Sequence, residues 1–405
     1  MNAIMKSLVV SVWFMVLTFP LVGIKVDTLQ GKIDWRFQNV ALMGAGVLAV
    51  ALLSHWVLQR KLAHPAPRAK AGQAPGALET FKKRLYEPSV RRTGLSLLAA
   101  GLLITPWFSS TYQTNIMASA MLYVILGLGL NIIVGYAGQL VLGYAAFYAV
   151  GAYTYGLLNM YFDIGFWIAL PIGGIMATLF GLMLGFPVLR LKGDYLAIVT
   201  LGFGEIVRLV LENWSDLTRG PAGISDISRP GLFGMEMTVT QATTYLYYIV
   251  FAAVVLTIIV VNRLKHSRVG LALQAMREDE IACEAMGIDL TRTKLSAFAL
   301  CACWAGFAGV IFSAKTTFIN PASFTFMDSA MILSMVVLGG MGSTLGVVLG
   351  ASILILAPEY LRAFSEYRML IFGAVMVLMM IFRPQGLISG EKRAYHVKAL
   401  EGDKA

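Results

Sequence analysis

Stretches of about 20 apolar residues recur from one end of this chain to the other, and that recurrence limits the fold more than any single motif does. At 1.5 Å of rise per residue, each run can cross a hydrocarbon layer about 30 Å thick while making its backbone hydrogen bonds internally. A membrane β-barrel would show segments of about ten residues that alternate in polarity. These runs are continuous and rich in Gly, Leu and Ala, so the spanning element is a helix. Composition agrees, since 58% of residues are hydrophobic and 13% charged, with a mean hydropathy of +0.73, outside the habit of soluble domains.

The runs lie at roughly 7–24, 39–58, 94–112, 114–135, 137–158, 166–189, 195–211, 243–262, 295–314, 328–341, 344–357 and 368–382. The expected fold class is therefore an all-α polytopic membrane protein with about twelve transmembrane or part-membrane helices, some of them broken in the core. Placing Lys6 and the 59–93 linker inside puts most Lys and Arg on the cytoplasmic side, with both termini there and Arg208 left within a helix. That asymmetry accounts for the net charge of +10. A nucleic-acid partner is excluded, because no soluble domain of any size could display a basic patch. The first run resembles an export signal, but Phe19 to Lys25 reads FPLVGIK with no Ala-x-Ala site, which predicts a retained signal-anchor helix.

Three pieces are expected. Residues 1–93 hold two helices and a linker, Gln59 to Thr93, with nine Lys or Arg, two Glu and four Pro. Its PAPRAKAGQAPG portion cannot bury enough apolar surface to offset ordering, and its charge suits an anionic inner leaflet of membrane lipid. Residues 94–389 form the core, and 390–405 a polar cytoplasmic tail.

Catalysis finds little support. His55, His64, His266 and His396 are scattered, with no metal-ligand spacing. Cys283, Cys301 and Cys303 lack a CxxC pair and read as reduced packing residues. There is no G-x-x-x-x-G-K-[ST] phosphate loop, no G-x-S-x-G turn and no HExxH, so no catalytic residue, metal or cofactor is assigned to this chain. Active transport by such a chain needs either a fuelled partner or an ion gradient.

Glycine marks the places where core helices bend or break. One segment runs Gly135-Tyr-Ala-Gly138-Gln139-Leu-Val-Leu-Gly143, and another Gly339-Gly340-Met-Gly342-Ser-Thr-Leu-Gly346. Breaks at membrane depth are tolerated where the freed backbone groups are buried in protein or face a wet cavity. Both segments are thus candidates for a translocation path, and close packing through small residues explains the same spacing equally well. In LKGDYLAIVTLGFGEIVRLVLEN, Gly202 and Gly204 precede Glu205 and Arg208, which are three apart and share a helix face. An intramembrane ionisable pair is a candidate path element, and a structural ion pair is the alternative.

The stretch from Arg263 to Lys294 has a different character. Arg277, Glu278, Asp279, Glu280 and Glu284 alternate with Met276, Ile281, Cys283, Ala285 and Met286, so a short water-exposed helix is expected, ended by Gly287 with positive φ. A helix that seats in a partner's groove is a natural force-transmitting joint. A solvated surface helix is the plainer reading.

With these segments in hand a family resemblance becomes specific. LGLGLNIIVGYAGQLVLGYAAFYAVGAY, FPVLRLKGDYLAIVTLGFGEIVRLV, GPAGIS, MREDEIACEAMGI, VVLGGMGSTLG and FRPQGL run in order from Leu126 to Leu387. Together they resemble LivM-type permeases of high-affinity branched-chain amino-acid ABC importers. The amino-terminal extension also resembles that subgroup, unlike shorter relatives that carry urea or amides. The resemblance implies a second homologous permease, two cytoplasmic ATPase subunits that bind ATP and Mg, and a periplasmic binding protein delivering leucine, isoleucine or valine at the bacterial inner membrane. It further implies that Arg277 to Gly287 is the coupling helix, with Glu284, Ala285 and Gly287 as an abbreviated form of the permease EAA motif. The rival expectations are an ABC permease for urea, amides or other amino acids, and an ion-coupled carrier with Glu205 as the coupling group.

Overall fold

The computed structural model describes residues 24–27, 32–35, 103, 105–107, 109–189, 191, 193–231, 238–360, 373, 377 and 386–388. The expected runs at 7–24, 39–58 and 368–382, and most of 94–112, lie outside the described residues or at isolated positions among them. The chain divides into two compact units, Met1–Gly94 and Leu95–Ala405.

In the first unit the described residues form an antiparallel two-stranded hairpin. Strand β1 (Ile24–Asp27) pairs with β2 (Lys32–Trp35), Ile24 opposite Trp35 and Asp27 opposite Lys32. The helical class stands, and this hairpin is a small addition that the expectation did not include. IKVD and KIDW alternate in polarity with a period of two, a strand pattern that a search for long apolar runs passes over as a connector.

The second unit is helical among its described residues. Helix α1 (Thr111–Asn131) continues as a π-helical turn over Ile132–Tyr136 and is followed by α2 (Tyr144–Phe162), α3 (Phe166–Val188) and α4 (Asp194–Asn213). Then come α5 (Val239–Lys265), α6 (Arg268–Glu278), α7 (Glu280–Ala285), α8 (Leu290–Thr316), α9 (Phe326–Gly339) and α10 (Thr344–Tyr360). Among the described residues, five stretches are long and apolar enough to cross a membrane: Thr111–Tyr136, Phe166–Val188, Thr240–Lys265, Leu290–Thr316 and Pro321–Gly339. The run expected at 137–158 starts its helix only at Tyr144, so residues 137–143 are a true interruption. The last of the five stretches reaches that length only with the turn Pro321–Ser323 included, since α9 itself has 14 residues and covers about 21 Å.

The centre is a three-helix contact of α8 with α2 and α3, made through small residues. A Cβ on Gly306 of α8 would lie 2.5 Å from the Gly173 carbonyl oxygen and 2.6 Å from the Ala177 Cβ of α3. Gly151 of α2 abuts the Gly306 backbone, and Gly309 abuts Tyr148 and Ala152. Between helices in lipid there is no hydrophobic gain, so backbones approach closely to recover dispersion contacts, and only small side chains allow it. The Ser313 hydroxyl, also buried, bonds the Ala152 carbonyl at 3.0 Å. Cys283 and Cys301 are buried free thiols, and Cys303 is partly buried and free.

Candidate functional site

Two short helices, α6 and α7, connect α5 to α8 at one end of the bundle. The Ser267 hydroxyl caps α6 by accepting from the Gly270 amide at 3.1 Å, a common N-terminal device. A single helix was expected through residues 276–286. The structure breaks it at Asp279, which is extended at φ −158 and ψ 113 and turns its carboxylate onto the Ile281 and Ala282 amides at 2.8 and 3.0 Å. A short acceptor side chain serves a helix start better than a helix interior, and here it starts α7. Gly287 has φ +82, its amide reaches the Glu284 carbonyl at 3.0 Å and the Ile288 amide reaches Cys283 at 3.0 Å. These are the two bonds of a Schellman end, which closes α7.

The apolar residues of this pair sort into two faces. Leu273, Met276 and Cys283 are buried against the bundle, whereas Ile281 and Met286 are 76% and 83% exposed. Glu278, Glu284, Ala285 and Gly287 are exposed beside them. Glu280 belongs to the anchoring side, since its carboxylate pairs at 2.9 Å with Lys294, whose side chain is only 5% exposed.

Arg277 turns the other way, toward the bundle. Its Nη1 donates to the Gly135 carbonyl at 2.5 Å. That carbonyl belongs to the π-helical end of α1, where unpaired carbonyls carry the negative end of the helix dipole and favour a cation. Gly138, at φ +71, leaves room for the same side chain: a Cβ there would lie 2.7 Å from Arg277 Cγ. Gly342, at φ +83 just beyond the end of α9, is on the far side, where a Cβ would lie 3.6 Å from Arg277 Nη1. The Gly342 amide donates to Asn131 Oδ1 at 2.8 Å. Two helix ends, from two separate glycine segments, thus meet around one guanidinium carried by the connecting pair.

The remaining path candidates divide between packing and open surface. Gly135 sits against the Asn131 side chain and the Gly342 amide. Gly339 abuts the Gly346 backbone and Gly340 touches the Gly386 position, so these glycines close the α9 and α10 pair. The Leu387 and Ile388 amides donate to the Leu338 and Gly339 carbonyls at 2.8 and 3.1 Å. Gln139 is buried, and among the described residues its Oε1 has no hydrogen-bond partner. Within the interruption at 137–143 the Leu142 amide is taken by the Thr200 hydroxyl at 3.1 Å, and just beyond it the Ala145 amide by Ser329 at 2.8 Å. Gly204 packs on the Gly143 backbone, whereas a Cβ on Gly202 would meet nothing within 4 Å. Glu205 accepts from Arg208 Nε at 2.8 Å, and Arg208 Nη1 also reaches Glu212 at 2.6 Å.

Sequence reasoning missed Asn131, Thr200, Ser329 and Lys294. Asn131 left a signal, a lone amide in LGLGLNIIVGY, since a polar side chain within an apolar run needs a partner.

Residues 112–380 match the family model described as branched-chain amino acid transport system / permease component. The chain belongs to that family. It is 49% identical over 322 residues to the high-affinity branched-chain amino acid transport system permease protein LivM of Escherichia coli K12, covering 74% of this chain and 76% of that one. It is 42% identical over 398 residues to the protein of the same name from Salmonella typhimurium LT2, covering 93% and 90%. The permease protein LivH of Escherichia coli K12, of the same transport system, is 25% identical over 301 residues, or 69% and 91% of the two chains. No solved structure matches. The matched span of this branched-chain amino acid permease family member includes Arg277 and both glycine segments that it joins.

Proposed function

We propose that the chain is the permease subunit of an ATP-driven importer that moves leucine, isoleucine and valine across a bacterial inner membrane. It is a non-catalytic subunit: two cytoplasmic ATPase subunits bind ATP and Mg, a periplasmic protein delivers the amino acid, and a second homologous permease completes the path. The near full-length similarity to LivM permeases carries this reading, and the related LivH permease of the same system supports the second permease. Membrane lipid surrounds the assembly, and the end bearing α6 and α7 is cytoplasmic, as are both termini.

The mechanism follows from the connecting pair. Ile281, Glu284, Ala285 and Met286, with Glu278 beside them, form the exposed face that seats on an ATPase, while Met276, Cys283 and the Glu280–Lys294 pair hold the other face to the bundle. When the ATPases close on ATP, displacement of α6 carries Arg277, and with it the ends of α1 and α9. The two glycine breaks then reorient around a substrate in alternating access, an exchange between two packed states. Gly135, Gly138, Gln139, Gly339, Gly340 and Gly342 are the moving joint, and Gly202 and Glu205 face outward from α4.

The test is reconstitution. Vesicles holding both permeases, both ATPases and the binding protein should accumulate leucine only with ATP, and this chain alone should not. Uphill leucine accumulation by the chain alone would overturn the assignment in favour of an ion-coupled carrier.

A further inference from the structure

Helix α4 runs between the same two ends of the bundle as α8, although its apolar sequence is interrupted by Glu205, Arg208 and Glu212. At the α8 start, Lys294 Nζ reaches the Leu189 carbonyl at 3.4 Å, just ahead of α4. At the far end, Ile224 and Ile319 exchange backbone hydrogen bonds at 2.9 and 3.0 Å, joining the segments that follow α4 and α8. Twenty residues of helix cover about 30 Å, so Glu205, the twelfth of them, lies near mid-depth.

One side of α4 is held. Leu196 and Val207 are buried, Thr200 takes the Leu142 amide, and Gly204 meets Gly143. The opposite stripe runs Ile198, Gly202, Glu205, Leu209, Glu212, spaced four and three apart along one face. Nothing among the described residues fills the space in front of Gly202. The side chains of Glu205, Arg208 and Glu212 are 42%, 23% and 37% exposed.

Such a face suits neither lipid nor water alone. An ionised group near the middle of a hydrocarbon layer is costly, and Glu205 is held at that depth by Arg208, whose other nitrogen reaches Glu212 near the helix end. A wide aqueous channel would in turn leave Ile198, Ile206, Leu209 and Val210 in water. A protein surface covers both kinds of group. The notch at Gly202 admits a closely approaching helix, and two carboxylates against one guanidinium leave one negative charge to be matched.

We propose that this stripe of α4 is the seam against the second, homologous permease, which sets a lysine or arginine beside Glu205 and Glu212. The proposal rests on the reading of the chain as one of two paired permeases.

Photocrosslinking in membranes holding the complete importer tests it. Benzoylphenylalanine replaces Ile198 or Leu209 on the stripe, with Leu179 and Met183 of α3 as comparison positions that are also exposed. Adducts to the second permease should form from 198 and 209 at least tenfold more than from 179 and 183. Adducts confined to lipid, or formed within the chain itself, would overturn the seam, as would equal yields at all four positions. Glu205→Gln with Glu212→Gln should also reduce co-purified second permease at least tenfold, and unchanged recovery would overturn the charge match. Co-purification of the unsubstituted pair is the control: if the second permease is absent there too, the two-permease reading has failed, whatever the α4 positions do.

Discussion

Arg277 and Gly135 are 142 residues apart and joined by a single hydrogen bond, guanidinium to helix-end carbonyl, at 2.5 Å. The bond ties the short connecting helix α6 to the broken end of α1. Gly138 and Gly342 flank the same guanidinium, so a shift of α6 cannot leave both breaks undisturbed.

Removing that tie should uncouple the parts without dismantling them. Arg277→Ala loses a charge-assisted bond worth roughly 1–2 kcal/mol, at the low end because Arg277 is exposed. Leucine uptake by the reconstituted importer should fall at least tenfold while ATPase subunits still co-purify and hydrolyse ATP. Arg277→Lys, with charge but no fork of donors, should recover only part of the uptake.

The glycines around the guanidinium should be intolerant for a different reason. At φ +71 and φ +83, Gly138→Ala and Gly342→Ala each place a Cβ in left-handed backbone, at a cost of about 1–2 kcal/mol. Gly138→Ala also displaces the Arg277 side chain. Gly202→Ala, with open space before it, should be neutral in the thermal stability of the detergent-solubilised chain. Equal losses at all three positions would contradict this account.

Glu278 and Glu284 are exposed, whereas Glu280 is paired with Lys294, so charge reversal should separate docking from folding. Glu278→Lys with Glu284→Lys should abolish substrate-stimulated ATP hydrolysis and leave membrane insertion and Tm unchanged. Glu280→Ala should instead lower Tm, because Lys294 keeps a buried charge without its carboxylate, a loss of roughly 2–4 kcal/mol for a pair of this burial.

Gly306→Leu should be the most damaging core change. With the Gly173 carbonyl and Ala177 Cβ in place, the side chain has nowhere to go, and overpacking of about 3 kcal/mol or more is expected. Loss of monodisperse protein on size exclusion is the readout.

Local features were legible in the sequence where the physics is local. Apolar length placed the helices containing Phe166–Val188 and Leu290–Thr316 within a few residues, and the need for positive φ marked Gly287 as a helix end. The hairpin at Ile24–Trp35 was missed because its signal is polarity alternation over only four residues per strand. The break at Asp279 was missed because a charged run reads alike as helix surface or helix cap until a backbone angle is known. Arg277 was named from its place in a charged helix, but no linear pattern records that its partner is Gly135. The same holds for Glu280 and Lys294, and for Gly204 and Gly143. These pairings depend on where distant helices cross, and crossing angles are set by the whole packing.

The amides of Leu387 and Ile388 close the last carbonyls of α9, which gives this molecule an order of assembly. Roughly fifty residues must be synthesised after α9 emerges before its open end can be sealed. Until then those two oxygens lack the amides that cap them in the finished fold, and a chain cut short ahead of Gly386 would never supply them.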